Sequence, residues 1–346
     1  MRQKDVNRLR RRTPGPRILL ALDQSTLSDL ALNEAYAGTR DLLVTAVEAD
    51  KLVCPMSLGA TDETLETPGL WQAIADLHEE LSMGIEFLAP KTIRQREALA
   101  AAAAFCEQEV LYSVEDEAFD RDPQTPRDEL FPDGIRVMAR FGPTDVRSAD
   151  VAREKAKEAM LQPAYDQTRA EGLSFDERAQ GELEAMVRWV LGPLADPGFE
   201  AEFARKQAAV TRGFMTGDYS PVSKLVAVSE RRMFAEALVE HFPALAERAQ
   251  EFAVSDELAY MPALRYPALL RAGLALTRNR VARPGDGYDI DHLTCGLSRC
   301  DIATADGSMT QLVLNHKLIP EGCQLFATRD IAGLHQAVEA ALTTTP

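Results

Sequence analysis

Two patterns of apolar positions alternate along the 346 residues, and the change between them divides the chain. Ile18-Leu19-Leu20-Ala21-Leu22 is an unbroken apolar run of strand length, as a strand buried on both faces requires, and Asp23 follows it at once. Over 26–38 the apolar residues Leu27, Leu30, Ala31 and Ala35 recur at helical spacing, with Ser25 or Thr26 as cap and Gly38 as stop. Leu52-Val53-Cys54-Pro55 predicts a second short strand, ended by a proline that lacks a ladder donor. A helix is expected to start over 57–66, and another spans 70–83 with Trp71, Ile74, Leu77 and Leu81 on one side. From Lys91 to Arg280 strand-like alternation nearly vanishes. Helical spacing fills 92–112, 149–162, 174–191, 199–214, 223–241, 244–254 and 259–280, and an acidic, proline-bearing loop interrupts it at 115–143. After Gly285 the mixed pattern returns: a helix over 292–299, a strand over 302–305 that ends on Asp306, a strand over 324–327 and a closing helix over 331–342.

The expected fold class is therefore α/β: a parallel sheet flanked by helices, built from 17–85 and 285–346 and split by an all-helical insertion at 86–284. Parallel strands require crossover helices, and both pieces contain them. Residues 1–16 are expected to form a basic flexible tail. Through Arg17 the start of the chain carries seven Lys/Arg against Asp5, a charge of +6, which leaves −22 for the rest of a chain at −16. Such a tail is either solvated or in contact with phosphates. The overall acidity argues against broad attraction to nucleic acid.

At 46% hydrophobic and 27% charged residues the composition is that of a globular protein. The five cysteines (Cys54, Cys106, Cys295, Cys300, Cys323) are odd in number and form no CxxC pair, so they read as reduced core residues and not as a disulfide frame or zinc site. No apolar run spans a bilayer, and 18–22 is too short for a signal-peptide core, so a cytoplasmic protein is expected. GxGxxG and GxxxxGK[ST] stretches are absent, which removes support for dinucleotide or P-loop binding.

Two strands that each end on an aspartate, Asp23 and Asp306, suggest carboxylates gathered at one sheet edge, where open α/β sheets bind ligands. Gathered carboxylates repel unless a cation lies between them, and Mg²⁺ or Mn²⁺ prefers such oxygen ligands. Four stretches, LLALDQSTLSDLA, VCPMSLGATDETL, YDIDHLTCGLSRCDIATAD and LFATRDIAGLHQAV, together resemble a PIN-like nuclease domain over about a third of the chain. The resemblance implies four acids. Asp23 ends the first strand. Glu63 lies in the helix after the second, with Asp62 and Glu66 as alternatives. Asp291 opens the helix before the later strand, with Asp289 close by, and Asp306 ends that strand in Thr304-Ala305-Asp306. Where many members have Thr-Asn after the first acid, this chain has Gln24-Ser25. The implied activity is endonucleolytic phosphodiester hydrolysis with Mg²⁺ or Mn²⁺ held by Asp23, Glu63, Asp291 and Asp306, on RNA in preference to DNA. Ser25, Ser57 and Thr304 are weaker candidates for hydrogen bonds to metal-bound water or phosphate, and Arg278, Arg280 and Arg283 either meet phosphate or form a solvated basic cluster.

Each acid also has a plainer role. Asp23 and Asp306 can simply cap the helices that follow them, Asp291 can be an N-cap, and Glu63 can be a solvated residue of an acidic face. Asp301 begins its strand and so belongs to the opposite edge, as a structural residue. The competing function is a non-catalytic binding or scaffold protein on a degenerate PIN-like fold, with a homodimer or an inhibitory protein partner as further expectations. A phosphatase-like reading ranks last, because Asp23-Gln24-Ser25 lacks the second acid such a site needs.

Overall fold

The computed structural model describes residues 2–12, 15–57, 71–110, 112–130, 162–196, 198–216, 220–278, 280–283 and 285–344. Four strands, β1 (Ile18–Ala21), β2 (Leu52–Val53), β3 (Ile302–Ala305) and β4 (Gln324–Ala327), form one parallel sheet in the order β2-β1-β3-β4. Ile18 pairs with Leu52, Leu20 with Ile302, and Ala305 with Ala327. The two central strands, β1 and β3, are buried at every position, which is why the first reads as an unbroken apolar run. β4, at the edge, is more exposed. The chain leaves β1 toward β2 on one side, and its second sequence piece adds β3 on the other. The boundary between β1 and β3 is thus the topological switch point of the sheet.

Helices cover both faces, and their boundaries follow local capping. The helix after β1 is Gln24–Leu32, earlier than expected because Asp23 itself is the cap and its Oδ1 accepts from Thr26 N at 3.1 Å. Asn33 then caps a 3₁₀ turn, Glu34–Tyr36, and the chain passes directly into Ala37–Glu48. Gly38 is the second residue of that helix and no stop. Asp286–Arg299 starts six residues before the expected 292, with Asp286 and Asp289 in its first turn, so Asp291 lies inside the helix and does not open it.

The helical insertion is continuous with the sheet. Pro262–Leu276 is buried nearly all round, and packs on Phe175–Ala195, Pro90–Phe105 and Asp286–Arg299. One apolar cluster runs from Leu20 and Val53 to Val187, Leu238, Phe252 and Leu264. The expected 149–162 helix lies outside the described residues except for 162, and the described residues 162–171 are helical. No described helix is long and apolar enough to cross a membrane. The five cysteines are unpaired, and burial pushes the thiols of Cys54, Cys295, Cys300 and Cys323 up.

Pro193 lies inside Phe175–Ala195 and lacks the N–H that would serve the carbonyl of Trp189 four residues earlier. Arg231 of Ser220–His241 supplies the donor instead: its Nε bonds Trp189 O at 2.8 Å. A Cβ on Gly192 would lie 2.5 Å from Arg231 Nη2, so glycine leaves room for this guanidinium. Gly192→Ala should displace Arg231 and cost about 1 kcal/mol, measurable by urea unfolding.

The basic N-terminal segment is not a flexible tail. Gln3–Asn7 is helical, Val6 and Leu9 are buried, and the arginines are used structurally. Arg10 and Arg12 pair with Asp301 at 3.2 and 3.1 Å, Arg8 pairs with Asp256 and stacks on Tyr260, and Arg11 pairs with Glu117 at 2.9 Å. Asp301 also accepts from Leu19 N at 2.9 Å, which confirms its structural place at the N-terminal edge of the strands. The sequence signal for docking was the apolar pair Val6 and Leu9 within the basic run.

Arg11 leads into a buried ionic cluster. Arg299, at the end of its helix, meets Glu97 at 2.5 Å and Glu117 at 3.5 Å, and Glu97 also accepts from Ala263 N at 2.8 Å. Burial pushes Glu117 up to about 7, with repulsion from Glu97 adding to it and Arg11 and Arg299 opposing. A carboxyl whose folded value is raised binds more protons folded than unfolded, so its contribution to stability is present below its ordinary range and is lost as pH rises through about 7. Burial lowers His78 and His292, which work the opposite way as pH falls below their ordinary value. The difference between the natural protein and Glu117→Gln isolates the carboxyl. Between pH 6 and 8 the natural protein should lose stability relative to the variant, with a slope no steeper than about 1.4 kcal/mol per pH unit, in urea melts across that range.

Candidate functional site at the switch point

Leu22 and Ala305 deliver Asp23 and Asp306 to the C-terminal ends of the two central strands, and each acid heads a nine-residue helix, Gln24–Leu32 or Gly307–Asn315. Both are N-caps, as the plainer reading held, and both stand at the switch point. Asp23 is 9% exposed. Its Oδ1 accepts from Thr26 N, from the Thr26 hydroxyl and from Thr304 Oγ1 at 2.8 Å; Oδ2 accepts from Thr328 Oγ1 at 3.0 Å. Thr304 Oγ1 in turn accepts from Asp23 N at 2.9 Å, so this hydroxyl ties the two strand ends together. Asp306 is half-buried; Oδ1 caps Met309 N at 2.6 Å and takes Ser308 Oγ at 2.9 Å.

His292 donates its Nε2–H to Thr304 O at 2.9 Å, because a carbonyl only accepts. Burial holds this imidazole below its ordinary value, with Asp23 opposing, so it is neutral at pH 7. One turn further along the helix, a Cβ on Gly296 would lie 3.1 Å from Ala303 and 3.2 Å from Ala21. Gly296 and His292 thus mark the side of Asp286–Arg299 that lies on β1 and β3. Helical spacing places Asp289, three residues before His292, on that side. Asp291 belongs to another side: it lies within electrostatic reach of Arg94 and of Cys295, one turn away. Of the two acids, Asp289 is the one directed toward the sheet.

Glu63, like Asp62 and Glu66, lies outside the described residues. Among the described residues no three or more His, Cys, Asp or Glu side chains are placed to share a metal ion, so Asp23, Asp291 and Asp306 do not make one cluster by themselves. Thr304, expected to bond metal-bound water or phosphate, bonds Asp23 itself, and the contacts of Thr26 and Thr328 with Asp23 were missed. Thr328 had a readable signal: it follows β4 as Asp23 and Asp306 follow their strands or strand runs.

Arg280 is buried against the same edge. It pairs with the fully buried Asp286 and donates to Ser308 Oγ at 3.3 Å, while Asp286 also accepts from Arg283 N at 3.0 Å. The solvated reading of Arg280 is therefore replaced by a structural one, in which it braces the serine that holds Asp306.

No protein-family model, curated protein or solved structure matches this chain.

Proposed function

We propose that this chain is a metal-dependent endonuclease of PIN-like kind, hydrolysing phosphodiester bonds in RNA in preference to DNA. The observation that carries the reading is the placement of Asp23 and Asp306 at adjacent strand ends on the switch point of a parallel sheet. The donor set suits a single hydrated Mg²⁺ or Mn²⁺, an ion typically held by one or two carboxylates with water filling the rest. Asp23 Oδ2 receives one hydroxyl and Asp306 is half-exposed, so each carboxylate keeps acceptor capacity. Asp23 and Asp306 would hold the ion; Asp289 is better directed than Asp291 but does not group with them as a third ligand. Bound there, the ion would polarise a phosphoryl oxygen and make its water more acidic. The chain's own groups orient the site: three threonines fix the Asp23 carboxylate, and Ser308, braced by Arg280, fixes Asp306. His292 keeps its lone pair on Nδ1, the ring's one proton acceptor.

A scaffold protein on the same fold is the second reading. It is favoured by the enclosure of Asp23 and by the lack of a three-ligand group among the described residues. Quenched fluorescent RNA and DNA oligonucleotides, incubated with Mn²⁺, Mg²⁺ or EDTA, separate the two. Metal-dependent cleavage, faster on RNA, supports the nuclease. Intact RNA and DNA under every condition support the scaffold.

A further inference from the structure

We propose that the groove around Trp189, on the helical insertion, binds single-stranded RNA, with a base on the indole ring and phosphates on Arg94 and Arg231. The inference rests on the nuclease reading and names where its substrate is held. A chain at −16 repels a polyanion unless cations are concentrated locally. The basic N-terminal arm does not meet that need, since Arg8, Arg10, Arg11 and Arg12 are paired with Asp256, Asp301 and Glu117. The Trp189 groove is differently composed. Lys91 pairs with Glu230 at 2.7 Å, which leaves Arg94 and Arg231 as its cations, with Phe234 beside them.

Trp189 is 40% exposed, a large apolar ring on the outward side of its helix beside Arg188 and Ala185. The guanidinium carbons of Arg94 and Arg231 lie 5.3 and 5.8 Å from its ring centroid, near enough to attract and too far to cover it as Arg8 covers Tyr260 at 3.4 Å. Arg231 is held in place by Trp189 O, which Pro193 leaves without its helical donor, and by Arg188 O at 3.3 Å, with Gly192 leaving room for the guanidinium, so its charge is fixed beside the indole. Arg94 keeps a buried Nε without a hydrogen-bond partner. An aromatic platform flanked by fixed cations is the arrangement that takes successive bases and phosphates of a single strand without reading sequence. Arg94 is also in electrostatic reach of Asp291, on the helix whose other side lays His292 against β3.

The test is fluorescence anisotropy of a fluorescein-labelled ten-uridine RNA, with EDTA present so that nothing is cut. Trp189→Ala should weaken binding by roughly tenfold or more and Trp189→Phe should restore part of it, because stacking on an aromatic ring is worth that much per base. Arg94→Ala should lower the slope of log affinity against log salt by about 0.7, one phosphate contact to a single strand. Circular dichroism melts check that each variant is folded. Unchanged affinity in folded Trp189→Ala, or equal affinity for a duplex, overturns the inference. So does failure of the natural protein to bind the RNA, which would leave the groove to an acidic protein partner. Unchanged binding in folded Trp189→Ala with metal-dependent cleavage in the natural protein would remove this surface and keep the nuclease; Trp189-dependent binding without cleavage under any metal would do the reverse.

Discussion

Arg299→Met is expected to cost about 3–5 kcal/mol of folding stability, the largest effect of any single substitution considered. Arg299 and Glu97 are fully buried and Glu117 nearly so. Removing the guanidinium leaves Glu97 with the single hydrogen bond from Ala263 N, and leaves Glu117 with Arg11 alone. Two carboxyls in a dry interior then lack their shared cation, and an uncompensated buried charge is worse than none. For the same reason Arg299→Met combined with Glu97→Met should recover much of the loss, since apolar groups of similar volume replace a buried pair at little net cost. Urea unfolding of the two variants checks both statements. A loss below about 1 kcal/mol for Arg299→Met would mean that water reaches the cluster. The consequence is architectural as well: this cluster joins the N-terminal arm, the insertion and the end of Asp286–Arg299 behind the sheet.

Asp306→Asn should reduce metal-dependent RNA cleavage by at least about 100-fold, whereas Asp291→Asn should cost less than about tenfold. The first figure follows because loss of an outer partner of a metal already costs about 10–100-fold, and Asp306 is proposed as a ligand itself. Asparagine keeps the cap on Met309 and the bond from Ser308, so the helix start should survive. The second figure follows from the side of the helix that Asp291 occupies, toward Arg94 and Cys295 and away from the strand ends. Asp289→Asn should fall nearer to Asp306→Asn. Initial rates with saturating Mn²⁺ give the three ratios. The reverse order for Asp289 and Asp291 would restore Asp291 to the site.

The strands were legible because each is short, apolar and bounded by a residue with a distinct job: Asp23 after β1, Pro55 after β2, Asp301 and Asp306 on either side of β3. The start of Asp286–Arg299 was not, since its first turn, Asp286-Gly287-Tyr288-Asp289, has no apolar repeat and is held by tertiary pairing of Asp286 with Arg280. That shift changed which acid faces the sheet. The resemblance, with the helix taken to start at 292, favoured Asp291, whereas contacts of His292 and Gly296 favour Asp289. Arg8, Arg10, Arg11 and Arg12 show a different limit. Charge alone does not distinguish a solvated arm from one whose partners lie about 100 to 290 residues away, such as Glu117 and Asp301. The hydroxyls around Asp23 come from Thr26, three residues on, and from the distant Thr304 and Thr328, whose meeting with Asp23 depends on the order of the strands in the sheet.

Mn²⁺ binding by isothermal titration calorimetry tests the central claim most directly, because it asks whether the strand-end carboxylates form an ion site at all. The account predicts one saturable ion per chain in the natural protein, lost in Asp23→Asn and Asp306→Asn and retained in Asp291→Asn. Absence of binding heat, or equal binding in all four proteins, would contradict it.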